Sequence, residues 1–164
     1  MMDTKGKKII LGSNSPRRRE LLAGLDIEFT VDTDNTFEEI YDESTAHELI
    51  PEVLSKGKSY GFHRELADDE ILITSDTLVL CGETVMGKPR SREEAIAMLK
   101  ALSDREHKVI TAITLRDSVR CSTVSDTALV HFKSLSGDEI EYYVDTYKPF
   151  DKAGAYGIQE WIGY

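Results

Sequence analysis

The chain has 164 residues, 40% of them hydrophobic and 30% charged, and carries a formal net charge of −10. That length buries one good core and is short for two ordinary domains, so a single domain over 1–164 is expected to hold any site. The composition excludes a disordered tail, and no apolar run approaches the roughly 20 residues that span a bilayer. The acidic balance argues against a nucleic-acid polymer as partner, because that binding runs on basic patches. A small phosphate ligand stays compatible where basic residues converge locally and a divalent cation screens the rest. The polar start, Met1 to Lys8, lacks a signal-peptide core, so no membrane association and a cytoplasmic location are expected.

In chain order, Lys8 to Gly12 reads as a buried strand and Pro16 to Gly24 as a helix, with Ser15 as N-cap, Pro16 at the first helical position and Gly24 as the stop. Glu28 to Asp32 reads as a short strand. A polar stretch, Asp34 to Ser44, leads to a helix expected over Thr45 to Arg64 despite Pro51 and Gly57. Ile71 to Thr74 and Leu78 to Cys81 are β-rich runs bracketing Ser75-Asp76-Thr77, which places Asp76 at a strand edge or bulge. Gly82-Glu83 closes a hairpin into Thr84 to Met86.

Ser91 caps a helix to about Leu102, with Ala95, Met98, Leu99 and Leu102 at helical spacing. Lys108 to Leu115 and Val119 to Phe132 form a long hairpin across Arg116-Asp117-Ser118. Ser136 and Glu139 make a capping box for a helix to about Tyr147, and a glycine-rich segment, Asp151 to Gly157, follows. Trp161 to Tyr164 looks like the start of a strand. Hairpins mixed with strand–helix alternation give an α/β class, a mixed sheet flanked by helices. Cys81 and Cys121 have neither zinc nor redox spacing and are expected to be buried reduced thiols. The four histidines show no metal-ligand spacing.

The sharpest chemical signal is Ser13-Asn14-Ser15-Pro16-Arg17-Arg18-Arg19-Glu20, between the first strand and the first helix. A helix N-terminus offers unpaired N–H groups, the serine hydroxyls can donate to phosphate oxygens, and arginines supply planar forks. Arginines also sit unfavourably at a positive helix end, which points to a bound anion, although a solvated first turn with Arg19 paired to nearby acids explains the same residues. Asp76 suits a magnesium ligand or water activator, or else a turn aspartate bonded to its own backbone. Lys88 in Gly87-Lys88-Pro89 can reach phosphate or be an ordinary surface lysine. Glu38, Glu39, Asp42 and Glu43 can supply a second metal ligand or form a solvated loop. Asp151 to Gln159 lets backbone approach a ligand, and Gln159 can pair with a base edge; a plain structural loop accounts for it equally.

The ordered blocks Ser-Asn-Ser-Pro-Arg-Arg-Arg-Glu-Leu-Leu, Ser-Asp-Thr, Gly-Lys-Pro and Asp-Lys-Ala-Gly-Ala-Tyr-Gly-Ile-Gln resemble the Maf family of nucleotide pyrophosphatases, over Ile9 to Tyr164. The resemblance implies a two-lobed α/β fold shared with inosine triphosphate pyrophosphatases, a central nucleotide cleft, and Mg2+- or Mn2+-dependent cleavage between the α and β phosphates. It matches Ser13, Arg17 and Arg18 to phosphate binding, Asp76 to the catalytic aspartate, and Lys88 and Lys152 to triphosphate contacts. Glu39 and Lys58 match the glutamate and helix lysine, with Glu38 and Lys56 the neighbours a shifted alignment would take. Asp76 and Glu39 would then hold the metal and orient water. Gln159 and its block resemble the branch that hydrolyses dTTP and UTP to the monophosphate and pyrophosphate. Family members usually continue for another strand and helix beyond the point matched by Tyr164. The competing readings are a nucleotide-binding regulator of cell division and septum formation that does not hydrolyse its ligand, and a protein in which the blocks only determine the fold. A homodimer is left open.

Overall fold

A computed structural model of the chain describes residues 3–164. Its elements in order are β1 (Lys8–Leu11), α1 (Pro16–Ala23), β2 (Phe29–Val31), a 3-10 turn (His47–Leu49), α2 (Ile50–Tyr60), β3 (Glu70–Cys81), β4 (Thr84–Met86), α3 (Arg92–Leu102), β5 (Glu106–Arg116), β6 (Cys121–His131), α4 (Gly137–Tyr147) and 3-10 turns at Ala153–Ala155 and Trp161–Gly163. The strands make one mixed sheet ordered β2-β1-β3-β5-β6, with β4 paired to β3. β1 runs parallel to both neighbours, Ile10 lying opposite Thr30 on one side and Leu72 on the other. The Gly82-Glu83 turn returns β4 antiparallel, Leu80 opposite Val85. This is the mixed α/β architecture expected from the alternation.

Residues 3–76 with 111–126 form one compact unit, and 77–110 with 127–164 a second. In the first, Ile10, Phe62, Leu66 and Leu72 pack together. α1 buries none of its residues and is defined by its ends, the Ser15 cap and Gly24. In the second, α3 and α4 pack on each other, and Leu99, Leu102, Ile140 and Tyr143 are fully or almost fully buried. Both helices start as the sequence indicates: Ser91 Oγ accepts from Glu94 N, and the Ser136–Glu139 capping box is complete. Among the described residues no helix is long and apolar enough to cross a membrane.

Four expectations are corrected. The second helix is shorter than Thr45 to Arg64: Pro51 sits in its first turn, the residues before it tighten into the 3-10 turn, and Gly61 N–H closes on Gly57 O at 2.8 Å. Ser75-Asp76-Thr77 breaks no strand, so Asp76 lies inside β3 rather than at an edge or bulge. The Asp76 carboxylate is tolerated there because Lys58 Nζ donates to its Oδ1. Trp161–Gly163 is a 3-10 turn held by local bonds such as Gly163 N to Glu160 O at 2.9 Å, with Trp161 edge-on to Tyr142, and no strand begins there. Both thiols are free, but only Cys81 is buried; Cys121 opens the edge strand β6 and is exposed.

Candidate functional site

The connection from β1 to α1 is organised around serine hydroxyls. Ser15 caps α1 by accepting from Arg18 N at 3.4 Å, and its own N–H donates to Ser13 Oγ at 3.2 Å. Arg18 then reaches β3: Nη1 donates to Ser75 O at 2.9 Å and lies 3.5 Å from Ser13 Oγ. Burial works against the Arg18 charge, and Asp76 pulls the other way. Arg17 is half-buried beside it, whereas exposed Arg19 contacts the Asn14 side chain at 3.3 Å. Arg18 is thus tied to the residue preceding Asp76.

Asp76 is 9% exposed and faces α2. Lys58 Nζ meets Asp76 Oδ1 at 2.8 Å and Glu39 Oε1 at 2.9 Å, so one ammonium sits against two carboxylates. Burial raises the Asp76 pKa above its ordinary value despite the opposing pull of Lys58 and Arg18, and Glu39 adds to the rise. The neighbouring residues differ in their contacts. Lys56 is exposed, two residues from Lys58 and therefore on a different face of the helix, and it is Glu39 rather than Glu38 that reaches Lys58.

The donor set suits a hard cation. Two carboxylates already converge on one positive charge, and their all-oxygen chemistry is what Mg2+ or Mn2+ takes. Among the described residues no group of three or more His, Cys, Asp or Glu could hold a metal.

The second unit carries the other sequence-marked residues. Lys152 is buried, its Nζ 3.0 Å from Asp151 Oδ1 and 3.2 Å from Glu160 Oε1. Lys88 and Gln159 are exposed. Gly154 adopts φ +71°, and a Cβ there would come within 3.0 Å of both Val79 methyls, so this glycine is required by conformation and contact together. The segment is pinned by residues the motif reading missed. Tyr143 OH accepts from Gly157 N at 3.0 Å and donates to Glu160, while His107 Nε2 lies 2.6 Å from the Tyr156 hydroxyl. Burial pushes the Tyr156 phenol up to about 12 and lowers the His107 pKa, so both are neutral at physiological pH. The sequence signal for Tyr143 was its inward place on an amphipathic helix, which reads as core.

A serine- and arginine-lined helix start is thus tied to a buried aspartate, itself paired through lysine to a second carboxylate, on an α/β sheet. Comparison with known proteins narrows the class. The family profile of Maf-like proteins matches residues 8–164, and the chain belongs to that family. A dTTP/UTP pyrophosphatase of Parabacteroides distasonis is 50% identical over 160 residues, covering 98% of this chain and 83% of that protein. One from Porphyromonas gingivalis is 44% identical over 167 residues, covering 100% and 84%. One from Bacteroides thetaiotaomicron is 45% identical over 157 residues, covering 96% and 81%. Among solved structures, a HAM1 protein from Coxiella burnetii aligns with a TM-score of 0.46 and 17% identity over 76% of this chain and 72% of that one, too distant to add to the argument.

Proposed function

We propose that the chain is a nucleoside triphosphate pyrophosphatase acting on dTTP, UTP or closely related pyrimidine nucleotides, releasing the monophosphate and pyrophosphate. The observation that carries this reading is the Lys58 ammonium held between Asp76 and Glu39, next to an Arg18 anchored on Ser75. Kinship with relatives named for this activity supports the substrate class.

Ser13, Arg17 and Arg18 bind phosphate oxygens at the start of α1, where N–H groups and the helix dipole favour an anion. Lys58 neutralises phosphate charge and holds Asp76 Oδ1. Asp76, with Glu39 beside it, orients the water that attacks the α-phosphorus. Asp76 and Glu39 are also the residues that would hold Mg2+ or Mn2+, which when bound supplies charge neutralisation to the triphosphate. In the second unit, Lys88 and Lys152 are the proposed phosphate contacts and Gln159 the base contact. Positioning and electrostatics supply most of the rate, as is general for reactions at phosphorus.

The test is pyrophosphate release with Mg2+ or Mn2+ across purine and pyrimidine triphosphates, comparing the wild type with Gln159→Ala. Turnover of dTTP and UTP, with preference over purines narrowed by Gln159→Ala, supports the reading. Binding of triphosphates without any turnover moves the protein to the regulator class.

A further inference from the structure

Gly57 stands in the interior of α2, where glycine weakens a helix relative to alanine, and the structure shows what takes the space of its missing side chain. A Cβ on Gly57 would lie 2.1 Å from Phe37 Cζ, 2.3 Å from Cε2 and 2.6 Å from Cε1. One turn on, a Cβ on Gly61 would lie 2.5 Å from Asn35 Oδ1 and from Phe37 Cβ. Gly61 has φ −79° and ψ 0°, open to any residue, so its bareness serves this contact and not the backbone. The same turn is bonded to the helix end: Asn35 Nδ2 donates to Lys58 O at 2.6 Å, and Thr36 N to Gly61 O at 2.9 Å. Phe37 N donates to Asn35 Oδ1 at 2.8 Å, closing the turn on itself.

Glu39 follows two residues later and meets Lys58 Nζ. Its side chain is 60% exposed, so burial of Glu39 itself does not place it. We propose that the Phe37 ring, seated on the bare backbone of Gly57, is the device that positions Glu39 against Lys58 and Asp76, which makes Phe37 and Gly57 positioning residues for the reaction. The proposal rests on the functional reading above. An alanine methyl at 57 enters the ring's space, and ordinary carbon contacts need about 3.5–4.0 Å. The ring is the movable end of a side chain on an exposed loop, so the loop yields and the helix does not. Glu39 is displaced, while α2 keeps the benefit of alanine.

The experiment compares the wild type, Gly57→Ala, Phe37→Ala and the double variant by kcat, KM and Mg2+ dependence of pyrophosphate release, and by hydrogen exchange at the Thr36 amide. Gly57→Ala is expected to lower kcat/KM at least about tenfold, the scale of a misplaced catalytic group, with faster Thr36 exchange and a higher Mg2+ requirement. With the ring removed by Phe37→Ala, adding Gly57→Ala is expected to cost less than about twofold more, because the two residues act through one contact. Losses that multiply in the double variant, or wild-type activity in Gly57→Ala, overturn the proposal. Unchanged Thr36 exchange in Gly57→Ala overturns the seat itself, whereas a wild type that releases no pyrophosphate overturns the functional reading, and the two failures are read by different measurements.

Discussion

Ser55→Ala tests how α2 is fastened to the sheet beneath the proposed site. Ser55 is wholly buried; its Oγ lies 2.8 Å from Thr114 Oγ1 and donates to Thr74 O at 3.3 Å. Thr74 Oγ1 donates back to Ser55 O at 2.8 Å. Lys58 lies three residues after Ser55 and Asp76 two after Thr74, each on the same face as its predecessor, so the hydroxyl contact and the Lys58–Asp76 pair are successive rungs of one helix–strand contact. Alanine removes two hydrogen bonds at about 1 kcal/mol each and returns about 0.5 kcal/mol in helix propensity. The net loss of about 1.5 kcal/mol lowers Tm by about 3–6 °C in a protein of this size. Thermal denaturation followed by circular dichroism measures it, with kcat/KM expected to fall as Lys58 loses its register. A Tm equal to or above that of the wild type would refute the reasoning, because propensity would then outweigh the buried hydroxyl.

Arg64 forks Glu70 at 2.7 and 3.0 Å, and with the Ala67 N–H it holds that carboxyl at about 2, below its ordinary 4.5. A depressed carboxylate stabilises the fold above its unfolded pKa and loses that contribution as pH falls through the folded one. The urea-midpoint gap between wild type and Arg64→Met is therefore full above pH 4.5 and closes toward pH 2; a gap constant down to pH 2.5 contradicts this. Tyr143→Phe removes the hydroxyl that bonds Gly157 N and Glu160, which should cost about 1–3 kcal/mol and raise KM for the triphosphate more than it lowers kcat. Calorimetry and steady-state kinetics check it, and an unchanged KM argues against a substrate role for that segment. Gly154→Ala meets both φ +71° and the Val79 methyls, so a Tm loss of more than about 2 °C is expected by calorimetry; Tm at or above that of the wild type would show the glycine dispensable.

The parts of the fold legible in the sequence are those written in local chemistry. Ser15, Ser91 and the Ser136–Glu139 box announced their helices because capping is a contact between near neighbours. Asp76 was misplaced within its element because Ser-Asp-Thr reads as a turn, and the Lys58 ammonium that meets it inside the strand is brought from another element. That Glu39 meets Lys58 while Lys56 lies on another face of the helix depends on which side chains meet in space, which spacing along the chain does not contain. Phe37 lies within the stretch read as polar and Tyr143 reads as helix core, and their roles follow from a bare glycine backbone and a buried amide that sequence periodicity cannot pair with them.

The most direct measurement is the phosphate product released from dTTP and UTP with Mg2+ by the wild type and by Asp76→Asn. The account predicts pyrophosphate, not orthophosphate, from the wild type, and loss of at least about a hundredfold in kcat from a folded Asp76→Asn protein, the scale of a removed general base. Orthophosphate as the product, or undiminished turnover without the Asp76 carboxylate, would contradict it.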